Sequence, residues 1–209
     1  ENTMGEFAGQ YGPESCPVTR VTAITHRRDA MFYSIMAGRN PEHNTIGRIA
    51  TYTIRRQLAA MLATLHPAIR GVKVHMDPGL GSMAHVVIGI EKSNDTEPRQ
   101  IIEAAFKASG GIFPVSKIVK RIVVVDTDVD IGNLADVEWA TWTRIADASK
   151  FMLLPGVQSW ELERCAKDDM RSVRVGIDAT MDMADREKLM RLRTPGADRI
   201  KLADYLGPQ

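Results

Sequence analysis

The chain has 209 residues, 44% of them apolar and 25% charged, so it can bury a sizeable core. Its 27 basic and 26 acidic residues are well mixed and leave a net charge of +1, which argues against a nucleic-acid or membrane-surface partner. No apolar run approaches the ~18 residues that a membrane span needs.

The two cysteines, Cys16 and Cys165, lie far apart and match no CxxC or metal-binding spacing. We therefore expect two reduced thiols rather than a disulfide, and a cytoplasmic location.

The first 40 residues predict a loop followed by a strand pair. Residues 1–17 are rich in Gly, Pro and polar residues, and Val18–Thr25 and Met31–Met36 are apolar runs separated by the polar turn 26–29. Two strands do not form a stable sheet alone, so we expect them to complete a sheet whose other strands lie elsewhere.

The next segment predicts a helix and two strands. After a loop at 38–44, apolar residues recur at helical spacing from Ile46 to Leu65, and Pro67 ends the pattern. Strands are expected at 69–76 and 85–91, joined by the Gly-rich segment 77–81.

The remainder continues the alternation of helices and strands. A helix around 101–106 precedes the apolar strand 120–126, which is typical of a strand covered on both faces. Asn133 is expected to cap a helix to about residue 146, before a strand at 173–177 and terminal helices at 182–193 and 197–206. The pattern predicts a three-layer α/β domain from about residue 40 onwards.

Two groups of carboxylates could carry chemistry. Glu1 and Glu6 bracket Gly5, and close carboxylates can hold one proton between them beside a cofactor, although on spacing alone a solvated loop is favoured. The run Asp126-Thr127-Asp128-Val129-Asp130 could bind Mg²⁺ or a ribose hydroxyl, or could simply form the turn before the next helix, which we favour.

Other motifs are weak. The loop 77–82 has no Gly-Lys-Ser/Thr ending and is interpreted as a turn rather than a phosphate loop. The five histidines show no HxxxH or HxH spacing, so a local metal site is not expected.

Several segments, in this order, resemble the UbiD family of reversible decarboxylases, which use prenylated flavin mononucleotide. The opening Glu1 to Tyr11 is similar to the family's E-G-P-F-G-E-F-x-G-Y, with Asn-Thr-Met in place of Gly-Pro-Phe. The other matching segments are Cys16-Pro17, 21–30, 38–41, Ser116-Lys117, 123–130, 136–144 and 176–180.

The resemblance implies roles for the opening motif. Glu6 is expected to protonate the carbon after CO₂ leaves, and Glu1 to orient an arginine supplied by the preceding half of the enzyme. The implied apolar pocket walls are Phe7, Ile46, Phe113, Leu153 and Leu154, with Glu42 as a polar edge beside His43. The family's prenylated FMN, a divalent metal (Mn or Mg) and possibly K⁺ would be held mainly by the preceding half, with no metal ligand in this chain.

The resemblance also implies an organisation. Residues 1–39 would end a split β-barrel-like flavin-binding domain, and residues 40–209 would form a C-terminal α/β domain that closes the active site and makes oligomer contacts. Because the chain begins on a candidate active-site residue, we expect an N-terminal half, as a separate chain or cleaved segment, and a homodimer or hexamer.

Three functions therefore compete. The first is reversible non-oxidative decarboxylation of an aromatic, heteroaromatic or α,β-unsaturated carboxylic acid. The second is a non-catalytic assembly or oligomerisation fragment of such an enzyme. The third is an unrelated nucleotide-binding module that uses the loop at Gly79–Gly81.

Overall fold

The architecture was obtained from a computed structural model of the chain. It describes residues 10, 18–34, 36, 40–76, 83–110, 113–192, 194–200 and 205.

A five-stranded mixed sheet is the centre of the fold. Its strands, in the order in which they are hydrogen-bonded, are β1 (Ile69–His75), β2 (Ala84–Ile90), β5 (Val119–Asp126), β7 (Arg171–Ala179) and β6 (Phe151–Gln158). The three central strands are parallel to one another, and each edge strand is antiparallel to its neighbour. Two-residue strands β3 (Ser109–Gly110) and β4 (Phe113–Pro114) form a separate hairpin.

Helices cover both faces of this sheet. Helices α2 (Tyr52–Leu62), α3 (Glu97–Lys107) and α4 (Val115–Ile118) cover one face, and α5 (Leu134–Arg144) covers the other. The remaining helices are α1 (Pro41–Ala50) and α6 (Arg186–Leu189), with short 3₁₀ turns at Ala148–Lys150, Met183–Asp185 and Ala197–Arg199. The predicted α/β class is confirmed. Among the described helices, none is long and apolar enough to cross a bilayer.

The core has two parts, because successive side chains of the central strands point to opposite faces of the sheet. Val86, Ile88 and Ile122 face α2, α3 and α4, where they pack with residues such as Ile101. Their neighbours Val87 and Val123 face α5 on the opposite side. This is why β5 is a continuous apolar run: successive side chains point to opposite faces, and both faces are buried.

The first strand pair is not present. Within the described residues 18–34 and 36 there is no strand, and the side chains there are exposed, including Val18 (98%) and Phe32 (94%). An apolar run becomes a strand only when a neighbouring strand pairs with it and a packed layer covers it, and the described residues supply neither.

The first predicted helix begins earlier and is interrupted. It starts at Pro41, inside the segment expected to be a loop, because Asn40 caps it: its side-chain oxygen accepts a hydrogen bond of 3.1 Å from the His43 amide. It breaks at Thr51, whose ψ is −2° and whose hydroxyl donates to the Gly47 carbonyl at 2.8 Å. Such back-bonding competes with the regular helical ladder.

The last third of the chain departs most from expectation. Strand β6 was not predicted as a strand, because Pro155 and Gly156 interrupt its pattern; the register shifts there and Gly156 has φ of +68°. In place of a long helix at 182–193, the structure has a 3₁₀ turn followed by the four-residue α6. Cys165 is a free, exposed thiol, and Cys16 lies outside the described residues.

Candidate functional site

The predicted catalytic residues belong to the opening motif. Glu1, Glu6 and Phe7 lie outside the described residues, as does the Gly-rich loop 77–82, so their roles stay predictions. The other pocket candidates are described, at least in their backbone.

Helix α1 positions Glu42 and Ile46 at the start of the C-terminal region. Glu42 accepts a hydrogen bond of 2.9 Å from the Tyr33 hydroxyl, and this contact and the carboxylate charge raise the pKa of Tyr33. Ile46 is 44% exposed, and Ile49, one turn later, is 72% exposed. In this helix only Gly47 is buried, so the described residues cover the apolar side chains of α1 only in part.

Strand β6 places Leu153 and Leu154 on opposite faces of the sheet. Leu153 is 64% exposed, whereas Leu154 packs against the core under α3 and α4. Phe113 belongs to the short hairpin that precedes α4, and its side chain lies outside the described set.

The described elements do not bring Ile46 and Leu153 together. Helix α1 adjoins α2, which packs on edge strand β1, and Leu153 is in the other edge strand, β6. Four strand spacings separate these edges, about 19 Å at the usual distance between strands.

A polar network that includes the predicted acidic run follows the parallel strands. Asp126 ends β5 and is buried, and Arg144 at the end of α5 reaches it at 3.1 Å. Arg144 also contacts both oxygens of Asp128, at 3.0 and 2.6 Å. Burial raises the pKa of Asp126, against the hydrogen bond from the Met181 amide and the charge of Arg144. These carboxylates are engaged within the protein, and the described residues contain no cluster of three potential metal ligands.

Two buried lysines continue the network beside β7. Lys92, after β2, donates to Asp95 at 2.7 Å and to the Thr180 hydroxyl at 2.9 Å. That hydroxyl donates to Asp178 at 2.6 Å, and the other oxygen of Asp178 accepts from Lys150 at 3.0 Å. The sequence gives no spacing signal for these lysines, because the strand order alone brings residues 92, 150 and 178 together.

A cavity of about 300 Å³ opens beside these lysines. Its walls include Arg99 and Ile102 of α3, Met152 of β6, and the ion pair of Lys150 with Asp182 at 2.5 Å. Although burial lowers the pKa of Lys150, hydrogen bonds and charge from Asp182 and Asp178 outweigh it and raise the pKa. A charged lysine is therefore held between carboxylates, which suits a fixed structural role better than proton transfer.

A second buried ion pair, between Glu163 and Arg174, links the loop between β6 and β7 to strand β7. Glu163 accepts from Arg174 at 2.9 Å and from Ser172 at 2.8 Å, and it also contacts Lys120 and Ser159. Burial alone would raise the pKa of Glu163, but these hydrogen bonds and the Arg174 charge lower it to about 2. Arg174 is fully buried and also donates to the Ser116 carbonyl at 2.6 Å.

Two consecutive segments of the chain match domains of one protein family. Residues 48–179 match the family described as the 3-octaprenyl-4-hydroxybenzoate carboxy-lyase C-terminal domain. Residues 1–40 match the Rift-related domain of the same carboxy-lyase. The chain belongs to the UbiD family. The opening motif and the described sheet thus match two consecutive domains of UbiD proteins.

Curated relatives of this UbiD chain include two named decarboxylases. Gallate decarboxylase of Lactiplantibacillus plantarum is 29% identical over 97% of this chain and 41% of its own length. Anhydromevalonate phosphate decarboxylase of Aeropyrum pernix is 29% identical over 86% of this chain and 38% of its own length. The chain therefore spans about two fifths of the length of these relatives.

Solved structures of UbiD-class enzymes and decarboxylases are similar to the chain over nearly its whole length. The UbiD-class enzyme HmfF from Pelotomaculum thermopropionicum, in complex with FMN, is 35% identical and superposes with a TM-score of 0.70 over 99% of this chain and 44% of that enzyme. Vanillic acid decarboxylase of Sedimentibacter hydroxybenzoicus, in its open form, is 20% identical with a TM-score of 0.68 over 94% of this chain and 41% of that enzyme, a likeness of fold.

Proposed function

We propose that this chain is the C-terminal part of a reversible, non-oxidative decarboxylase that acts with prenylated FMN on an aromatic, heteroaromatic or α,β-unsaturated carboxylic acid. The match of consecutive segments, 1–40 and 48–179, to two successive UbiD domains supports it most directly. The 35% identity to HmfF, solved with FMN, supports the flavin.

In this proposal Glu6 delivers the proton and Glu1 is its partner. When bound, the flavin supplies an electron sink for the carbon that loses CO₂, so the protein has to position the acid and deliver a proton. A dry apolar pocket disfavours the ionised carboxylate, so the acid stays protonated and can transfer its proton to the carbon that has lost CO₂. Glu1 would orient the arginine from the preceding half and balance its charge.

Apolar walls for such a pocket are available on the described surface. Ile46 and Leu153 expose apolar side chains at two separate places on this surface, and either would cover an aromatic ring held by a flavin-binding domain packed against it, with Phe7, Phe113 and Leu154 as further wall candidates. Glu42, held by Tyr33, would form the polar edge.

The remaining parts of the proposal concern assembly. Residues 1–39 would complete the split β-barrel-like flavin-binding domain together with the preceding half, and residues 40–209 would close over it. The metal (Mn or Mg) and possible K⁺ would be held by that preceding half, in a cytoplasmic homodimer or hexamer.

The test uses the complete protein, produced together with the prenylated flavin. We expect bound prenylated FMN by native mass spectrometry and CO₂ release from at least one acid in a panel of phenolic, furan and acrylic acids. Glu6→Gln should retain the flavin and the fold but lose CO₂ release by about 10²-fold or more, because general acid catalysis contributes that much. Full activity of Glu6→Gln would refute its role as the proton donor.

A second candidate is an assembly or oligomerisation fragment without catalysis. The observation in its favour is that the described sheet has its own core on both faces, whereas the pocket candidates Ile46 and Leu153 lie at opposite edges. Activity of the complex with the preceding half distinguishes the two, because a purely structural fragment would leave CO₂ release unchanged in both Glu1→Gln and Glu6→Gln.

A further inference from the structure

A cleft of about 210 Å³ lies between helix α2 and edge strand β1. Tyr52, Arg55, Arg56 and Ala59 line one side, and residues 72–74 of β1 line the other. The four helical residues are spaced i, i+3, i+4 and i+7, so they share one face of α2.

The polar lining of this cleft consists of donors. Arg55 donates one NH2 bond of 3.0 Å to the Arg48 carbonyl, and its Nε is buried without a partner. Arg56 donates to the Tyr52 hydroxyl at 3.0 Å and stacks over the ring at 5.7 Å. Since the Tyr52 oxygen accepts that bond, its own hydrogen remains available for donation.

Among the described residues that line the cleft there is no carboxylate, although Lys73 adds a third positive charge at its rim. Cations buried within the described fold pair with carboxylates, whereas the half-buried Arg55 and the exposed Arg56 and Lys73 do not. Arg144, Lys150 and Arg174 each contact a carboxylate oxygen within 3.1 Å. The positive charge in the cleft is therefore left for an external anion.

We infer that this cleft binds a phosphate-type oxyanion, either free or as the phosphate of a monoester. A guanidinium presents several N–H donors in a planar fork that matches the oxygens of such an anion, and two guanidiniums lining one cleft favour a dianion over chloride. The phenol of Tyr52 would add a neutral donor to the same oxygens.

Isothermal titration of the purified protein with inorganic phosphate, at ionic strength kept constant with sodium chloride, tests the inference. We expect saturable binding to one site per chain that chloride does not reproduce. Arg55→Gln and Arg56→Gln should each weaken it by about tenfold or more, the range of a charge-assisted hydrogen bond. Because Arg56 is on the surface, Arg56→Gln decides the matter if Arg55→Gln does not fold.

The matched control is Arg70→Gln, which removes one positive charge from the same edge strand but outside the cleft, where Arg70 pairs with Glu91 at 3.0 Å. Phosphate affinity should be unchanged in it. Absence of saturable binding, or an equal loss in Arg70→Gln, would overturn the inference. Phenyl phosphate in a parallel titration separates the two sources: tighter binding than inorganic phosphate identifies a monoester, and equal binding identifies the free anion.

Discussion

Two stretches of similar apolar, β-branched sequence behave in opposite ways. In the segment 18–34 apolar side chains such as Ile24 (79% exposed) and Phe32 (94%) face solvent, and no strand forms there. In the sheet domain, defined here as residues 52–182, Val86 and Ile122 are fully buried. The difference lies in what surrounds each stretch, because the strands of the sheet domain have hydrogen-bonded neighbours and a helical layer within the same chain.

The comparison separates a self-sufficient region from one that needs a partner. The sheet domain contains its own core, two buried ion networks and helices on both faces. The segment 18–34 makes no comparable contacts among the described residues, and it lies in residues 1–40, which match a different UbiD domain from the one that residues 48–179 match. Changes in the sheet domain should therefore affect unfolding, and changes in the segment should affect assembly.

The largest expected effect comes from the buried ion pair of the sheet domain. Arg174→Met removes a fully buried cation together with its hydrogen bonds to Glu163 and to the Ser116 carbonyl. Because each charge-assisted hydrogen bond contributes about 1.5–3 kcal/mol, a loss of about 3–5 kcal/mol in the free energy of unfolding is expected even though Lys120 still pairs with Glu163. Urea denaturation measures it. Arg171→Met, three residues earlier and exposed, is the control and should change the free energy by less than about 0.5 kcal/mol. A loss below 1 kcal/mol in Arg174→Met would mean that the pair does not stabilise the fold.

Lowering the pH should reduce the free energy of unfolding of the sheet domain, because it protonates Glu163. The pKa of Glu163 is lowered from 4.5 to about 2 by folding, so the unfolded state binds more protons between these values and stability falls as the pH drops from about 5 to 2. Above pH 5 the group contributes about 3 kcal/mol from this shift, and that contribution is lost once the folded carboxyl is protonated. Denaturation at pH 6 and pH 3 should show a smaller acid loss in Glu163→Gln than in the unaltered protein; equal losses would contradict the assignment.

Adding a methyl group at Gly176 in the sheet should lower the free energy of unfolding by a somewhat smaller amount. A Cβ added at Gly176 would lie 2.4 Å from Cγ2 of Ile102, so α3 and β7 would have to separate. Gly176→Ala should lower the free energy of unfolding by about 1–3 kcal/mol, as overpacking does. The double variant Gly176→Ala with Ile102→Val, which shortens the opposing side chain, should recover part of the loss. Absence of any loss in the single variant would show that α3 does not pack this closely on β7.

The sequence predicted the sheet domain far better than its polar clusters. Periodicity is enough for β5, whose apolar run implies burial on both faces, and for α5, where Asn133 accepts from the Ala135 amide at 3.0 Å as its capping role requires. It failed for β6, because Pro155 and Gly156 hide a bulged edge strand. It also failed for the contact between Lys92 and Thr180, since only the strand order brings residues 88 positions apart within 2.9 Å.

The same limit explains the error in the segment 18–34. Alternation and β-branching indicate only a local preference for extended backbone, and whether a neighbouring strand exists is a property of the assembly and not of the local pattern. The candidate site came from the family resemblance and not from periodicity, since Glu42 and Leu153 carry no spacing signal of their own. Their roles, like those of Glu1 and Glu6, stay predictions.

The smallest effect on folding should come from the segment itself. Phe32→Ser removes a side chain that is 94% exposed, so the free energy of unfolding of the sheet domain should change by less than about 0.5 kcal/mol. If the segment completes the flavin-binding domain, the same variant should reduce the flavin bound by the complete protein, because burying a Phe side chain contributes about 1.5–3 kcal/mol. Leu192→Ser, at an equally exposed position outside the segment, should leave both quantities unchanged. Unaltered flavin content in Phe32→Ser would contradict the proposal that Phe32 packs within the flavin-binding domain.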